Sequence, residues 1–243
     1  MTDAFQRTAL LYGEQALERF QRLTVGVFGL GGVGGMAAES LARSGVGGFV
    51  LVDFDRIKPS NLNRQLVALH STLGQPKAEA MRARILDINP QARVEAVTAF
   101  ADEDTRGALL SRVDVVVDAI DSLGPKTGLL EDALQRGLPL ISVMGAAGRS
   151  DPAQIRLDDL SRSQGCPLAR RVRRYLRRRG ITGGFPVVFS SEVPLAQLSH
   201  EAGSEEEWEL DRGRKRGTLP SAMHIPAIMG LWAAGWVLDE VTR

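Results

Sequence analysis

Four charged side chains in the first half of the chain could handle a ligand that carries phosphate groups. Arg64 and Lys77 are cations, and Asp53 and Asp121 are acids that follow predicted strands. Two cations near one sheet edge suit a triphosphate better than a dinucleotide, whose pyrophosphate is largely held by backbone amides. A carboxylate at that edge, such as Asp121, can hold Mg²⁺. Capping of the next helix is the alternative, and both could hold with Ser122 nearer the cap. The residue types therefore predict phosphate binding with a metal ion.

A glycine-rich turn supplies the second part of such a site. Residues 25–28 are typical of a buried parallel strand, a helix is predicted at about 33–43, and four glycines connect them: Gly29, Gly31, Gly32 and Gly34. Glycines allow a tight turn and close approach of a phosphate, and the free amides of a helix start bind anions. A merely flexible loop is the alternative. However, Asp53 ends the next predicted strand, 19 residues past Gly34, where it can bind a ribose. NAD, FAD and ATP all fit this pattern.

Strands and helices alternate along the middle of the chain. The predicted strands are 25–28, 49–52, 93–99, 113–120, 139–143 and 187–190, and the predicted helices between and after them are 33–43, 77–88, 125–136 and 225–241. Such alternation is typical of an α/β fold with a Rossmann-like, doubly wound and mostly parallel sheet. We expect one domain over 1–243, with N-terminal helices (1–22), a nucleotide-binding core (23–150) and a C-terminal extension (151–243) that completes the sheet and carries substrate, RNA-binding and dimer elements.

The two ends of the chain differ from this core. Residues 3–21 are predicted to form one or two amphipathic helices, broken near Gly13, with Leu10, Leu11, Leu17 and Phe20 on the apolar side. Residues 225–241 form a predicted helix with Trp232 and Trp236 one turn apart, placed in the core or at a subunit contact. The polar stretch from Ser199 to Gly217 predicts a mobile excursion from the fold.

Composition narrows the class of protein. The formal net charge is +1, so no partner follows from it. The single cysteine, Cys166, excludes an intramolecular disulfide and a cysteine-rich zinc cluster, which suits a reducing cytoplasm. The uncharged stretch 225–238 has 14 residues. A bilayer core needs about 20, so no membrane partner is expected.

An arginine-rich helix is predicted in the stretch that begins at Ser161. Leu168, Val172, Tyr175 and Leu176 form one apolar stripe, and no acid occurs between Asp159 and Glu192. The cations on the remaining faces are Arg170, Arg171, Arg173, Arg174, Arg177 and Arg178. A solvated surface is the usual explanation of a charge run, but such surfaces normally mix both signs. The arginines therefore favour nucleic-acid binding.

Several of these motifs together resemble the ATP-dependent adenylating enzymes that include the ubiquitin-activating, molybdopterin and thiamine biosynthesis proteins. The resemblance rests on the glycine turn, Asp53, the segment 61–65, the turn 75–77 and Asp121. It implies that Asp53 holds the ribose, that Arg64 and Lys77 hold the ATP phosphates with help from Asn61, and that Asp121 binds Mg²⁺. It further implies that Arg7 enters the ATP site of a partner subunit, so that the active enzyme is a homodimer.

Other segments resemble a bacterial branch of this superfamily that acts on tRNA. They are Tyr12–Gly13, 145–152, 167–170 with the following arginines, and 189–192. The branch implies ATP-dependent cyclisation of N6-threonylcarbamoyladenosine next to the anticodon. The resemblance leaves open whether a monovalent cation is needed besides Mg²⁺.

The chemistry of such a reaction can be stated from first principles. A carboxylate is a poor electrophile, so ring closure on it needs adenylation first, with release of pyrophosphate. The substrate's own carbamoyl group can then displace AMP without any protein nucleophile. An activating enzyme for a ubiquitin-like or sulfur-carrier protein is the main alternative, but it usually needs a catalytic cysteine, and only Cys166 is present. A non-catalytic RNA-binding protein with a structural nucleotide is a second alternative.

Overall fold

The protein, described here from a computed structural model, contains one seven-stranded sheet with the strand order β3-β2-β1-β4-β5-β7-β6. The structure describes residues 3–195 and 219–242; the expected excursion at Ser199 to Gly217 lies outside them. All neighbouring strands are parallel except β6, which runs antiparallel to β7. The strand order reverses between β1 and β4, and their carboxyl ends therefore flank a crevice where such folds bind ligands.

The strands are β1 (Thr24–Phe28), β2 (Gly48–Val52), β3 (Arg93–Val97), β4 (Val115–Asp118), β5 (Leu140–Val143), β6 (Ile155–Asp159) and β7 (Pro186–Ser190). The helices are α1 (Gln6–Tyr12), α2 (Glu14–Arg22), α3 (Gly34–Arg43), α4 (Lys77–Ile88), α5 (Glu103–Leu110), α6 (Leu123–Gln135), α7 (Pro167–Arg177) and α8 (His224–Thr242). The predicted α/β class and doubly wound sheet are confirmed.

The core lies on both faces of the sheet. Alternate side chains of each central strand point to opposite faces, so that Val25 and Val27 of β1 join one cluster while Phe28 joins the other. The first cluster packs against α2, α3, α4 and α8, and the second against α5, α6 and α7. Burial on both faces explains why the central strands are continuous apolar runs.

One expectation about the N-terminal helices needs correction. Leu17 and Phe20 of α2 are buried as predicted, but Leu10 and Leu11 of α1 are 81% and 76% exposed. Only Ala9 of α1 is buried, because α1 ends at Tyr12 and turns away through Gly13. Within one chain, the buried apolar side of the segment consists of α2 residues together with Phe5 and Ala9.

Two elements were not predicted, namely α5 and the edge strand β6.

In the C-terminal helix, Trp236 packs against the core while Trp232 is 43% exposed. In the part of the chain that the structure describes, no helix is long and apolar enough to cross a membrane.

Candidate nucleotide and substrate site

The glycine turn is built to bring backbone amides to the crevice. Gly29 has a φ of +90°, and a Cβ there would lie 2.8 Å from the carbonyl oxygen of Ala119 on the neighbouring loop. A Cβ on Gly34 would overlap the carbonyl oxygen of Gly29, and one on Gly32 would lie 2.9 Å from that of Arg64. Gly31 is different, since its Cβ position has only Gln65 Nε2 nearby, at 3.8 Å. Three glycines are thus required by the fold itself, and Gly31 borders open space.

Asp53 ties this turn to the end of β2. Its Oδ2 atom accepts a hydrogen bond from the Leu30 amide (2.6 Å) and its Oδ1 atom from the Asp55 amide (2.8 Å). Burial raises the pKa of Asp53 above its ordinary value, and the charge of Lys77 and the two amides offset this only in part. The carboxylate keeps lone pairs for ribose hydroxyls, since each oxygen can accept more than one hydrogen bond.

Lys77 is the first residue of α4 and is 4% exposed. Its Nζ atom donates to Asp55 Oδ2 at 2.6 Å, and its amide donates to the Asp55 carbonyl at 3.0 Å. Asp55 therefore has a role that the sequence did not reveal. In this chain the ammonium group is paired with a half-exposed carboxylate, and an entering phosphate would compete for it.

The segment 59–65 packs directly on the glycine turn. Asn61 is buried, and its Oδ1 atom accepts from the Lys58 amide at 3.1 Å, so this side chain holds the segment in shape. Arg64 is half-buried, and its Nη1 atom donates to the Ser60 carbonyl (2.7 Å) and to Asn63 Oδ1 (3.0 Å). Its other guanidinium nitrogens remain available to an anion.

Gln65 ends the segment 61–65, and no role was predicted for it from the sequence. It is 8% exposed, and its Oε1 atom is buried without a hydrogen-bond partner in the described structure. An unsatisfied buried acceptor is costly and points to a missing donor. Because Gln65 lies beside Gly31, a nucleotide hydroxyl or a water on a bound metal ion fits this position.

Asp121 lies on the loop between β4 and α6, across the crevice from the glycine turn. It is exposed, and its Oδ1 atom accepts from the Ser122 hydroxyl at 3.2 Å. Ser122, not Asp121, occupies the N-cap position of α6. Among the described residues no three His, Cys, Asp or Glu side chains form a metal cluster. One carboxylate together with ligand phosphates is a normal arrangement for Mg²⁺, so the residues present fit that ion.

A second missed feature lies beneath this loop. Lys126 of α6 is fully buried, and its Nζ atom is 2.7 Å from Asp118 Oδ2 at the end of β4. The same nitrogen donates to the carbonyls of Ile120 (2.9 Å) and Val143 (2.8 Å). The Ser142 hydroxyl donates to Asp118 from β5. These bonds fix the loop that carries Asp121.

The remaining predicted residues lie outside the crevice. Arg7 is exposed on α1, close in sequence to the exposed Leu10 and Leu11. Cys166 is buried at the N-cap position of α7, as expected of a small residue at a helix start.

The arginines of α7 mostly face solvent. Arg170, Arg171, Arg174, Arg177 and Arg178 are exposed. Arg173 is half-buried and donates to the main chain and hydroxyl of Ser163 and, at 3.4 Å, to the Leu160 carbonyl, so it also supports the preceding loop. Tyr175, expected in the apolar stripe, is 37% exposed and lies under the guanidinium of Arg179.

This fold and crevice define a nucleotide-binding protein of the adenylating type, and comparison with known proteins agrees. A model of the ThiF family matches residues 5–242, so the chain belongs to the ThiF family. The tRNA threonylcarbamoyladenosine dehydratase of Bacillus subtilis is 41% identical, with 100% of this chain and 96% of that protein aligned.

Solved structures give the same result. The crystal structure of the E. coli tRNA N6-threonylcarbamoyladenosine dehydratase in complex with ATP superposes with a TM-score of 0.85 at 34% identity, covering 98% of this chain and 93% of that chain. The AMP complex of that enzyme gives a TM-score of 0.84 at 35% identity, with the same coverage.

Proposed function

We propose that this chain is an ATP-dependent tRNA threonylcarbamoyladenosine dehydratase, which closes a ring on N6-threonylcarbamoyladenosine next to the anticodon. The observation that supports this most is the full-length likeness to the Bacillus subtilis enzyme. The crevice adds physical support, because the open glycine Gly31 lies beside Gln65, whose Oε1 atom is a buried acceptor without a partner in the described structure.

The first step activates the substrate carboxylate. One carboxylate oxygen attacks the α-phosphorus of ATP, the bond to the β-phosphate oxygen breaks, and pyrophosphate leaves. Negative charge spreads over the phosphate oxygens during this step, and fixed donors that face them lower the barrier.

Several residues of the crevice contribute to stabilising this phosphate charge. Gly29, Gly31, Gly32 and Gly34 bring amides to the phosphates, and Asp53 orients the ribose. Arg64 and Lys77 neutralise phosphate charge. To reach the phosphates, the Lys77 ammonium group gives up its hydrogen bond to Asp55. Asn61 holds the segment that carries Arg64 in shape. Asp121 holds Mg²⁺, which supplies further charge neutralisation when bound.

The second step is intramolecular. The carbamoyl group of the substrate attacks the activated carbonyl carbon, the bond to AMP breaks, and a proton is lost, so that the net change is removal of water. Positioning alone can contribute about 7 to 11 kcal/mol in reactions of this kind. The buried position of Cys166 suits a mechanism in which no protein thiol takes part.

The exposed arginines of α7 bind the tRNA backbone. Each phosphate that they neutralise adds about 0.7 to 0.9 to the slope of log affinity against log salt. Arg170, Arg171, Arg174, Arg177 and Arg178 carry this role, and Arg173 shares it while supporting its own loop.

The working enzyme is a homodimer in the cytoplasm. The partner subunit's Arg7 completes each ATP site, and the exposed Leu10 and Leu11 on the same helix provide apolar contact area. Residues 1–22 and 151–243 supply the dimer and RNA-binding elements around the nucleotide core at 23–150. A monovalent cation beside Mg²⁺ is an additional requirement to test by replacing K⁺ and Na⁺ in the assay.

The decisive experiment supplies purified protein with ATP and tRNA that carries N6-threonylcarbamoyladenosine. We expect AMP and the dehydrated nucleoside in equal amounts, detected by chromatography and mass spectrometry. Asp121→Ala abolishes both products, whereas Cys166→Ala leaves both. Wild-type protein that makes no AMP under these conditions would refute the function.

The same experiment separates the alternatives. An activating enzyme for a carrier protein would make pyrophosphate only with that protein and would lose product with Cys166→Ala. A non-catalytic RNA-binding protein would bind the tRNA through α7 and make no AMP.

A further inference from the structure

Arg149, on the loop after β5, is a buried arginine without a complete set of partners. It is 6% exposed, and its Nη1 atom donates to the Ala147 carbonyl at 3.0 Å. Its Nε and Nη2 atoms are buried and have no acceptor in the described parts of the chain. A guanidinium group cannot lose its charge in a protein, so it cannot relieve this cost by deprotonation. The feature therefore points to an anion that is bound in the working state.

The surroundings of Arg149 add a second source of positive potential. If Gly145 carried a Cβ, that atom would lie 3.6 Å from Arg149 Nη1, 3.7 Å from Cys166 Sγ and 3.7 Å from Leu168 Cβ. Cys166 and Leu168 belong to the start of α7, a helix of 11 residues. The first amides of a helix carry partial positive charge, so the start of α7 adds positive potential near the guanidinium.

The loop after β5 is held in place by Glu192, which follows β7. The Glu192 carboxylate accepts from the Ser150 amide (3.1 Å) and the Asp151 amide (3.0 Å). The Asp151 amide is the main cause of a lowered pKa of Glu192, with Ser150 contributing. Gly148 is held as well, by hydrogen bonds with Pro220 and Leu195. The loop is thus fixed by other groups, and Arg149 is not needed to pair with Glu192.

The position of the loop indicates which ligand supplies the anion. β5 lies on the far side of β4 from β1 and β2, which carry the glycine turn and Asp53. The loop that carries Arg149 therefore follows the strand next to β4, away from the glycine turn, and lies close to the start of α7. The nucleotide belongs to the β1 side of the crevice, and the RNA belongs to the α7 side.

We propose that Arg149 and the first turn of α7 form a binding site for an anionic group of the RNA substrate. This inference rests on the proposed function. The chemistry is a single oxyanion held by a guanidinium fork and helix amides, and two groups of the substrate have it: the carboxylate that is to be activated and a neighbouring phosphodiester. The anion has to displace the atoms that now cover Nε and Nη2.

The test measures tRNA binding directly, without turnover. Arg149→Met and Arg149→Lys are compared with the wild type, and Arg93→Met, which removes an exposed charge on the distant strand β3, is the matched control. We expect Arg149→Met to weaken binding of tRNA that carries threonylcarbamoyladenosine by roughly ten- to a hundredfold, as for loss of a charged hydrogen bond. Arg149→Lys gives a smaller loss, Arg93→Met gives little, and ATP binding is unchanged.

Unmodified tRNA identifies the source of the anion. If Arg149→Met weakens binding of the modified tRNA alone, the ligand is the carboxylate; if it weakens both equally, the ligand is a phosphodiester. Thermal unfolding is measured in parallel, and Arg149→Met should not lower the melting temperature of the free protein, since it removes an unpaired charge.

Unchanged tRNA affinity in Arg149→Met would overturn the inference. A lowered melting temperature with equal losses for ATP and tRNA would also overturn it, because that pattern indicates an internal partner. A wild-type enzyme that binds tRNA but makes no AMP would refute the proposed function, while the binding measurement would still decide the role of Arg149.

Discussion

The Nζ atom of Lys126 and the Oδ2 atom of Asp118 lie 2.7 Å apart, and neither side chain has any exposed surface. The pair joins the first turns of α6 to the end of β4, and two further carbonyls complete the lysine's hydrogen bonds. A buried charge is tolerated only when it is paired and hydrogen-bonded, so each partner depends on the other.

Removing one member of this pair should be far worse than removing both. We expect Lys126→Met to lower the free energy of unfolding by about 3 to 5 kcal/mol, because Asp118 is left buried and uncompensated. The double variant Lys126→Met with Asp118→Leu should recover much of that loss. Urea denaturation measures the differences.

The partly exposed pair Arg112 and Glu95 is the matched control. Arg112→Met should cost no more than about 1 kcal/mol, as is usual for surface ion pairs. Equal losses in the single and double Lys126 variants would show that the two buried charges do not depend on each other.

The glycines of the nucleotide turn should separate into two groups. Gly31→Ala should fold with normal stability, since its Cβ meets only Gln65 Nε2 at 3.8 Å, but it should weaken ATP binding because the phosphates need that space. Gly34→Ala should destabilise the protein, because its Cβ overlaps the Gly29 carbonyl. Thermal unfolding and ATP titration together test this. Normal ATP affinity in Gly31→Ala would mean that the phosphates lie elsewhere.

Asp53 should give opposite pH trends for stability and for ligand affinity. Its pKa in the folded chain is raised above 3.8 by burial, so the folded state binds the proton more tightly than the unfolded state. The contribution of Asp53 to stability is therefore greatest at low pH and falls as the pH rises through the raised pKa. A ribose needs the ionised carboxylate, so affinity should rise over the same range.

Adenosine is the ligand for this measurement, since it has no phosphate that titrates. Its affinity should fall as the pH is lowered toward the raised pKa of Asp53, and Asp53→Asn should bind weakly with no such dependence. A pH-independent affinity in the wild type would remove Asp53 from the ribose site.

Mixed dimers should test whether Arg7 acts across the subunit interface. Arg7→Ala and Asp121→Ala homodimers are each expected to be inactive. Random mixing of their subunits gives half heterodimers with one intact site each, so activity should return to about a quarter of the wild-type value. Subunit exchange followed by an AMP assay measures it. No recovery would place Arg7 in the site of its own chain, and an active Arg7→Ala homodimer would place it outside catalysis.

Much of the nucleotide-binding half could be predicted because its signals are local. A few neighbouring residues are enough to predict the turn glycines, β1, α3 and α4. The structure places α4 at the predicted Lys77–Ile88. β6 was missed because Ile155–Asp159 contains three charged residues and because 26 residues separate it from its partner strand β7.

The site was harder to predict than the fold. Lys126 near a helix start is typical of a solvated side chain, and only the tertiary structure shows it buried against Asp118. The acceptor of Gln65 and the donors of Arg149 lack partners in the described structure, and sequence carries no sign of a missing partner. Leu10 and Leu11 are apolar, but the sequence could not show that both side chains are exposed to solvent in the single chain.

The packing of α8 on α3 has a consequence for how the protein is made. A Cβ on Gly230 would overlap the carbonyl oxygen of Val33, so the two helix backbones nearly touch beside the glycine turn. A nascent chain leaves the ribosome with its N-terminus first. The glycine turn is therefore synthesised some 200 residues before α8, the helix that supports it. A ribosome-bound fragment that lacks α8 should therefore not hold nucleotide, and ATP binding should begin only when the last helix has emerged.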